Sequence, residues 1–173
     1  MLFRSILFEC KDLRKNYGKN QALKGLNLQI ESGQIVGLLG PNGSGKTTLI
    51  KLANGLLTKN GGELYIDGKE VGVETKKIVS YLPERTYLDV HSKVKDVIEF
   101  FKDFYSDFEE NRAYDMLSKL NINPNDKLKT MSKGTREKVQ LILVMSRQAK
   151  LYFLDEDRKS TRLNSSHEPP SRM

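Results

Sequence analysis

The sequence predicts an α/β fold of the phosphate-loop kind, and three observations predict it. Gly40-Pro41-Asn42-Gly43-Ser44-Gly45-Lys46-Thr47 fits the pattern G-x-x-x-x-G-K-[ST] at every fixed position. The segment before it, residues 34–39, is a short apolar run that reads as a buried strand, and residues 46–57 (KTTLIKLANGLL) read as an amphipathic helix leaving the loop. Far downstream, residues 150–154 (KLYFL) give a second short apolar strand, which ends in Asp155-Glu156.

These residue types suit one chemistry. Glycines let consecutive backbone N–H groups turn inward around an anion, and the helix that follows adds the positive end of its dipole. Lys46 supplies a mobile ammonium for the outer phosphates. Thr47 offers a hydroxyl to Mg²⁺, a metal that takes few protein ligands and shares phosphate oxygens. An acidic pair leaving a hydrophobic strand downstream of such a loop is placed to hold Mg²⁺ through Asp155 and to polarise water through Glu156.

Residues 6–39 alternate apolar runs with turn signals and read as three strands, with Gly18 and Gly33 at turns. Tyr17 sits at the first turn, either stacking on a purine base or serving as an ordinary turn residue. Beyond the first helix, GGELYIDGKEV reads as a hairpin arm and KKIVSYLP as a strand ending at Pro83. Helical spacing then takes over at residues 93–105 and 109–120, and Phe100, Phe101, Phe104 and Tyr105 form an aromatic stripe on the first of these. Such a stripe packs a core or docks a partner. Residues 121–125 (NINPN) form a loop. A third helix spans 132–146, with Ser132 as its N-cap and a second half apolar nearly all round, which requires burial.

Composition narrows the setting. At 173 residues the chain accommodates one domain with an insertion. The net charge of +7 contains no block of five like charges, so it describes a solvated surface better than a nucleic-acid patch. Cys10 is the only cysteine, which rules out an internal disulfide and a thiolate metal cluster. Arg4 interrupts the apolar start MLFRSILF, and no apolar run approaches the ~18 residues of a membrane span.

In order and approximate spacing, residues 7–156 resemble the ATP-binding subunit of an ABC transporter. The resemblance implies a P-loop NTPase of the ABC ATPase type, with an N-terminal antiparallel β-subdomain and an inserted helical subdomain. It assigns residues 1–82 and 149–156 to the nucleotide-binding core, and 83–148 to the Q-loop and helical subdomain. It also makes Tyr17 the adenine-stacking aromatic and extends the phosphate-binding set over Gly40, Asn42, Gly43, Ser44, Gly45, Lys46, Thr47 and Thr48. Glu84 stands where most members carry the Q-loop glutamine. Met131-Ser132-Lys133-Gly134-Thr135 falls on the signature segment, where Ser132 and Gly134 are kept and Lys133 and Thr135 depart from the usual residues. Asp155 and Glu156 close the Walker B strand. The implied cofactors are ATP and Mg²⁺, with Thr47 and Asp155 on the metal and with Lys46 and Glu156 in catalytic roles. The implied partners are a transmembrane permease and a second ATP-binding subunit, identical or not, closing head to tail over two ATP molecules. No direct nucleic-acid contact is expected. The place of action is cytoplasmic, peripheral on the inner face of the membrane through the partner. The alternative within the class is a soluble ABC-type ATPase acting on nucleic acid or the ribosome.

After Glu156 the family pattern continues with a proline, the D-loop, a further strand and a switch histidine, whereas this chain continues as DRKSTRLNSSHEPPSRM. Residues 157–167 back-translate to a sequence resembling a library adapter, so residues 157–173 are expected to be a non-native disordered tail and the ABC domain incomplete at its C-terminus. The tail holds four basic and two acidic residues, which leaves residues 1–156 at +5. His167 falls in the tail, and His91 reads as a surface residue. In the family the strand after the switch lies between the phosphate-loop strand and the Walker B strand. Without it the chain as written is expected to bind ATP weakly and not to turn over.

Overall fold

The computed structural model describes residues 5–84 and 87–155. Glu156 and residues 157–173, on which the general-base and tail expectations fall, lie outside the described residues.

Two long strands open the chain, β1 (Ile6–Tyr17) and β2 (Asn20–Glu31), which pair antiparallel through the turn at Gly18. Gly18 takes φ +58°, a left-handed conformation that costs glycine little. Strand β3 (Gly61–Ile66) adds to the other edge of β1, and β4 (Lys69–Glu70) to β3, giving the antiparallel order β2-β1-β3-β4. Side chains alternate across this sheet. Its inward face, carrying Phe8, Cys10, Leu13, Leu64 and Ile66, packs on helix α1 (Lys46–Ala53) through Leu49, Leu52 and Ala53.

A parallel pair, β5 (Val79–Leu82) and β6 (Leu151–Leu154), forms a second sheet. The expected strand over KKIVSYLP is shorter than its apolar pattern, because residues up to Ile78 belong to helix α2 (Val73–Ile78). Thr75 starts that helix: its Oγ1 accepts from the Gly72 N–H at 2.9 Å and donates to the Gly72 carbonyl at 3.0 Å. Helices α3 (Val94–Phe104), α4 (Glu110–Lys119) and α5 (Lys133–Met145) bury a separate core of Val94, Ile98, Phe101, Leu117, Ile142 and Leu143. Val139, Ile142 and Leu143 from the apolar second half of α5 are buried there, whereas Leu141 is 37% exposed, so that half is not buried all round as its pattern requires.

One expectation fails. Residues 34–39 form no strand: they have no ladder partner among the described residues, and Ile35 and Leu39 are almost fully exposed. A continuous apolar run becomes a buried strand only when neighbours flank it on both edges. Here β5 and β6 pair with each other and leave the segment outside their sheet.

Candidate nucleotide site

The loop owes its shape to three left-handed or extended-positive glycines, Gly40 (φ +153°), Gly43 (φ +84°) and Gly45 (φ +94°). Gly45 is the N-cap of α1, and the helix begins at Lys46. A Cβ on Gly45 would lie 2.7 Å from the Ala22 carbonyl oxygen and 2.8 Å from Leu23 Cδ2, so the close approach of β2 fixes where the loop enters the helix. The Lys46 ammonium folds back over the loop, donating to the Gly40 and Pro41 carbonyls at 2.8 and 3.0 Å and to Ser44 Oγ at 3.3 Å. A flexible ammonium held by neutral acceptors remains available to a charged phosphate, since hydrogen bonds to ionised partners are the stronger kind.

Thr47, the second residue of α1, meets Asp155 at the exit of β6: its Oγ1 donates to Asp155 Oδ1 at 3.2 Å. The main chain of Asp155 is fixed by its N–H, which donates to the Leu82 carbonyl at 2.9 Å. On the other side the Tyr81 hydroxyl donates to Asp155 Oδ2 at 3.4 Å. Burial, and then the charge of Asp155, push the Tyr81 phenol up to about 12, so it is a protonated donor at neutral pH. A hydroxyl and a carboxylate converging beside a phosphate loop are the hard oxygen donors that Mg²⁺ takes, with phosphates and water completing its shell. The residues fit the metal.

The remaining predicted site residues lie elsewhere. Ser132 caps α5, its Oγ accepting from the Thr135 N–H at 3.1 Å, and Gly134 lies in the first turn of that helix. Among the described residues no hydrogen bond joins either one to the loop. Tyr17 is half exposed at the end of β1, with the Lys15 ammonium 5.3 Å from its ring centre. Asn42 and Thr48 stay with the loop and α1, while Glu84 is exposed just past β5. The aromatic stripe divides: Phe101 is in the helical core, whereas Phe100 and Phe104 are 62% and 67% exposed and stack on each other at 5.9 Å. Phe104, Tyr105 and Tyr87 line a cleft of about 530 Å³ together with Lys51, Lys76 and Tyr81.

Sequence reasoning missed Arg147. Its side chain is 4% exposed and its guanidinium binds both Asp107 carboxylate oxygens, at 3.0 and 3.1 Å, along with the Val79 and Lys77 carbonyls at 2.7 and 2.9 Å. The Tyr105 ring lies 3.9 Å from the guanidinium carbon. One cation thus ties the α3–α4 connection and the end of α5 to the start of β5.

A glycine-rich loop opening a helix, with a hydroxyl–carboxylate pair beside it at the end of a parallel strand, defines a P-loop nucleotide-binding protein. The family model described as ABC transporter matches residues 23–158, and the chain belongs to that family. It is 30% identical over 153 residues to the ABC transporter ATP-binding protein YtrB of Bacillus subtilis, an alignment covering 87% of this chain and 52% of YtrB. The petrobactin import ATP-binding protein YclP of the same organism is 30% identical over 162 residues, covering 87% of this chain and 64% of YclP. Among solved structures, the ATP-binding subunit of an ABC transporter superposes with a TM-score of 0.78 at 28% identity, over 87% of this chain and 66% of that one. A putative ABC transporter ATP-binding protein from Pyrococcus furiosus gives 0.75 at 29% identity, over 88% and 79%. The chain therefore spans about half the length of YtrB. No helix among the described residues is long and apolar enough to cross a membrane.

Proposed function

We propose that this chain supplies the ATP-binding half-site of an ABC transporter subunit whose hydrolysis of ATP with Mg²⁺ drives a separate permease, and that the chain as written binds ATP weakly without turning it over. The observation that carries the reading is the meeting of Thr47 with Asp155 beside the loop. Loop amides and Lys46 would hold the outer phosphates. Thr47 and Asp155 would hold Mg²⁺, which when bound offsets phosphate charge. Glu156, next in the chain, would take the proton of the attacking water, and Tyr17 would stack on the adenine. Ser132 and Gly134 would complete the site of a second subunit closing head to tail, an arrangement to which an exposed helix N-terminus is suited.

The cleft between α3 and β5 suits the permease. Phe104 in its lining, stacked on the exposed Phe100, offers an apolar anchor, and Tyr81 in its lining also touches Asp155, so the cleft and the proposed metal site share a side chain. On this reading the chain acts at the inner face of the membrane through its partner.

Photolabelling the full chain with 8-azido-ATP, followed by peptide mapping, tests the reading. Label on the peptide containing Tyr17, protected by excess ATP, is expected. Label confined to peptides unconnected with Tyr17 or the loop would overturn it.

A further inference from the structure

Asp155 is 91% buried by its 9% exposure, and among the described residues no cation pairs with it. Its carboxylate is held instead by two hydroxyls, one on each oxygen: Thr47 on Oδ1 and Tyr81 on Oδ2. The two donors come from different elements. Thr47 rides on α1, while Tyr81 sits on β5, whose parallel register sets Tyr81 opposite Phe153, two residues before Asp155. With the Asp155 backbone fixed by Leu82, the remaining freedom is rotation of the carboxylate, which the two hydroxyl contacts restrict.

We propose that Tyr81 is a positioning residue for Asp155: its hydroxyl holds Oδ2 so that Oδ1 stays directed at Thr47, the geometry a shared Mg²⁺ requires. Outer partners of this kind orient a metal-binding carboxylate, and their loss weakens metal binding without removing a ligand. The inference rests on Thr47 and Asp155 holding Mg²⁺.

The test titrates MgCl₂ into the full chain with a fluorescent ATP analogue, for the wild type, Tyr81→Phe and Asp155→Asn. Tyr81→Phe keeps the ring and its packing and removes only the donor. It is expected to raise the Mg²⁺ concentration for half-maximal tightening about tenfold or more, with affinity in EDTA and the urea midpoint unchanged. A purely structural role would move the midpoint and leave the Mg²⁺ dependence alone. Should Tyr81→Phe fail to fold, Tyr81→Met, which also lacks a donor, is expected to give the same shift. A normal Mg²⁺ dependence in the Tyr81 variant, with loss of that dependence in Asp155→Asn, would overturn the inference and leave the metal reading standing. Absence of any Mg²⁺ effect in the wild type would overturn both.

Discussion

Thr47 Oγ1 and Asp155 Oδ1 lie 3.2 Å apart although 108 positions separate the two residues in the chain. Contact across such a distance in sequence requires α1 and β6 to be placed by the two sheets together. A double-mutant cycle with Thr47→Val and Asp155→Asn measures the pair directly. Each single change is expected to abolish most of the Mg²⁺-dependent tightening of ATP, and the double variant should be little worse than either, because residues acting as a unit are non-additive. Additive losses, read by equilibrium binding, would mean that the two residues act separately.

Arg147 makes a second long-range prediction. Asp107→Ala leaves a buried guanidinium without its carboxylate, and breaking such a pair costs about 3–5 kcal/mol. Urea unfolding of Asp107→Ala should show a loss of that order. Asp107→Asn, which keeps one acceptor oxygen, should lose less. Lys133 and Glu137, 3.6 Å apart on the exposed face of α5, are the control: Glu137→Ala should cost about 0–0.5 kcal/mol.

Gly45 and Gly62 separate a site effect from a fold effect. Both have positive φ, and a Cβ on Gly62 would come within 2.2 Å of the Asp12 carbonyl oxygen, where β3 crosses a bulge in β1. Each Gly→Ala change should destabilise by about 1–3 kcal/mol. Gly45→Ala should also weaken ATP binding, because it displaces the loop from β2, whereas folded Gly62→Ala should bind ATP normally. Parallel melting curves and ATP titrations distinguish them.

The parts of the molecule legible in the sequence are those set by local chemistry. Turn glycines announced the β1–β2 hairpin, Ser132 announced the start of α5, and the loop motif announced α1. The strand expected over residues 34–39 shows the limit, because its apolar pattern specifies burial while the strand itself depends on neighbours, and Leu39 is 94% exposed. Helix α2 was hidden for the opposite reason: its lysines and Ile78 run into the pattern of β5, and the bond from Gly72 N–H to Thr75 marks only its start. Arg147 and Tyr81 carry no local signature. Arg147 looks like any loop arginine until Asp107, forty residues earlier, is folded against it. Alternation along β5 places Tyr81 on one face but does not reveal that Asp155 shares that face.

The most direct measurement is an ATP titration of the full chain in Mg²⁺ beside Lys46→Ala. On the proposed reading the Lys46 ammonium is the one charge the loop itself would supply to the phosphates, and hydrogen bonds to charged groups contribute about 1.5–3 kcal/mol. Saturable binding by the wild type, weakened at least about tenfold in Lys46→Ala at an unchanged melting temperature, is the predicted result. Equal affinity in the two proteins, or no saturable binding by a folded wild type, would contradict the assignment of residues 40–47 as the ATP site.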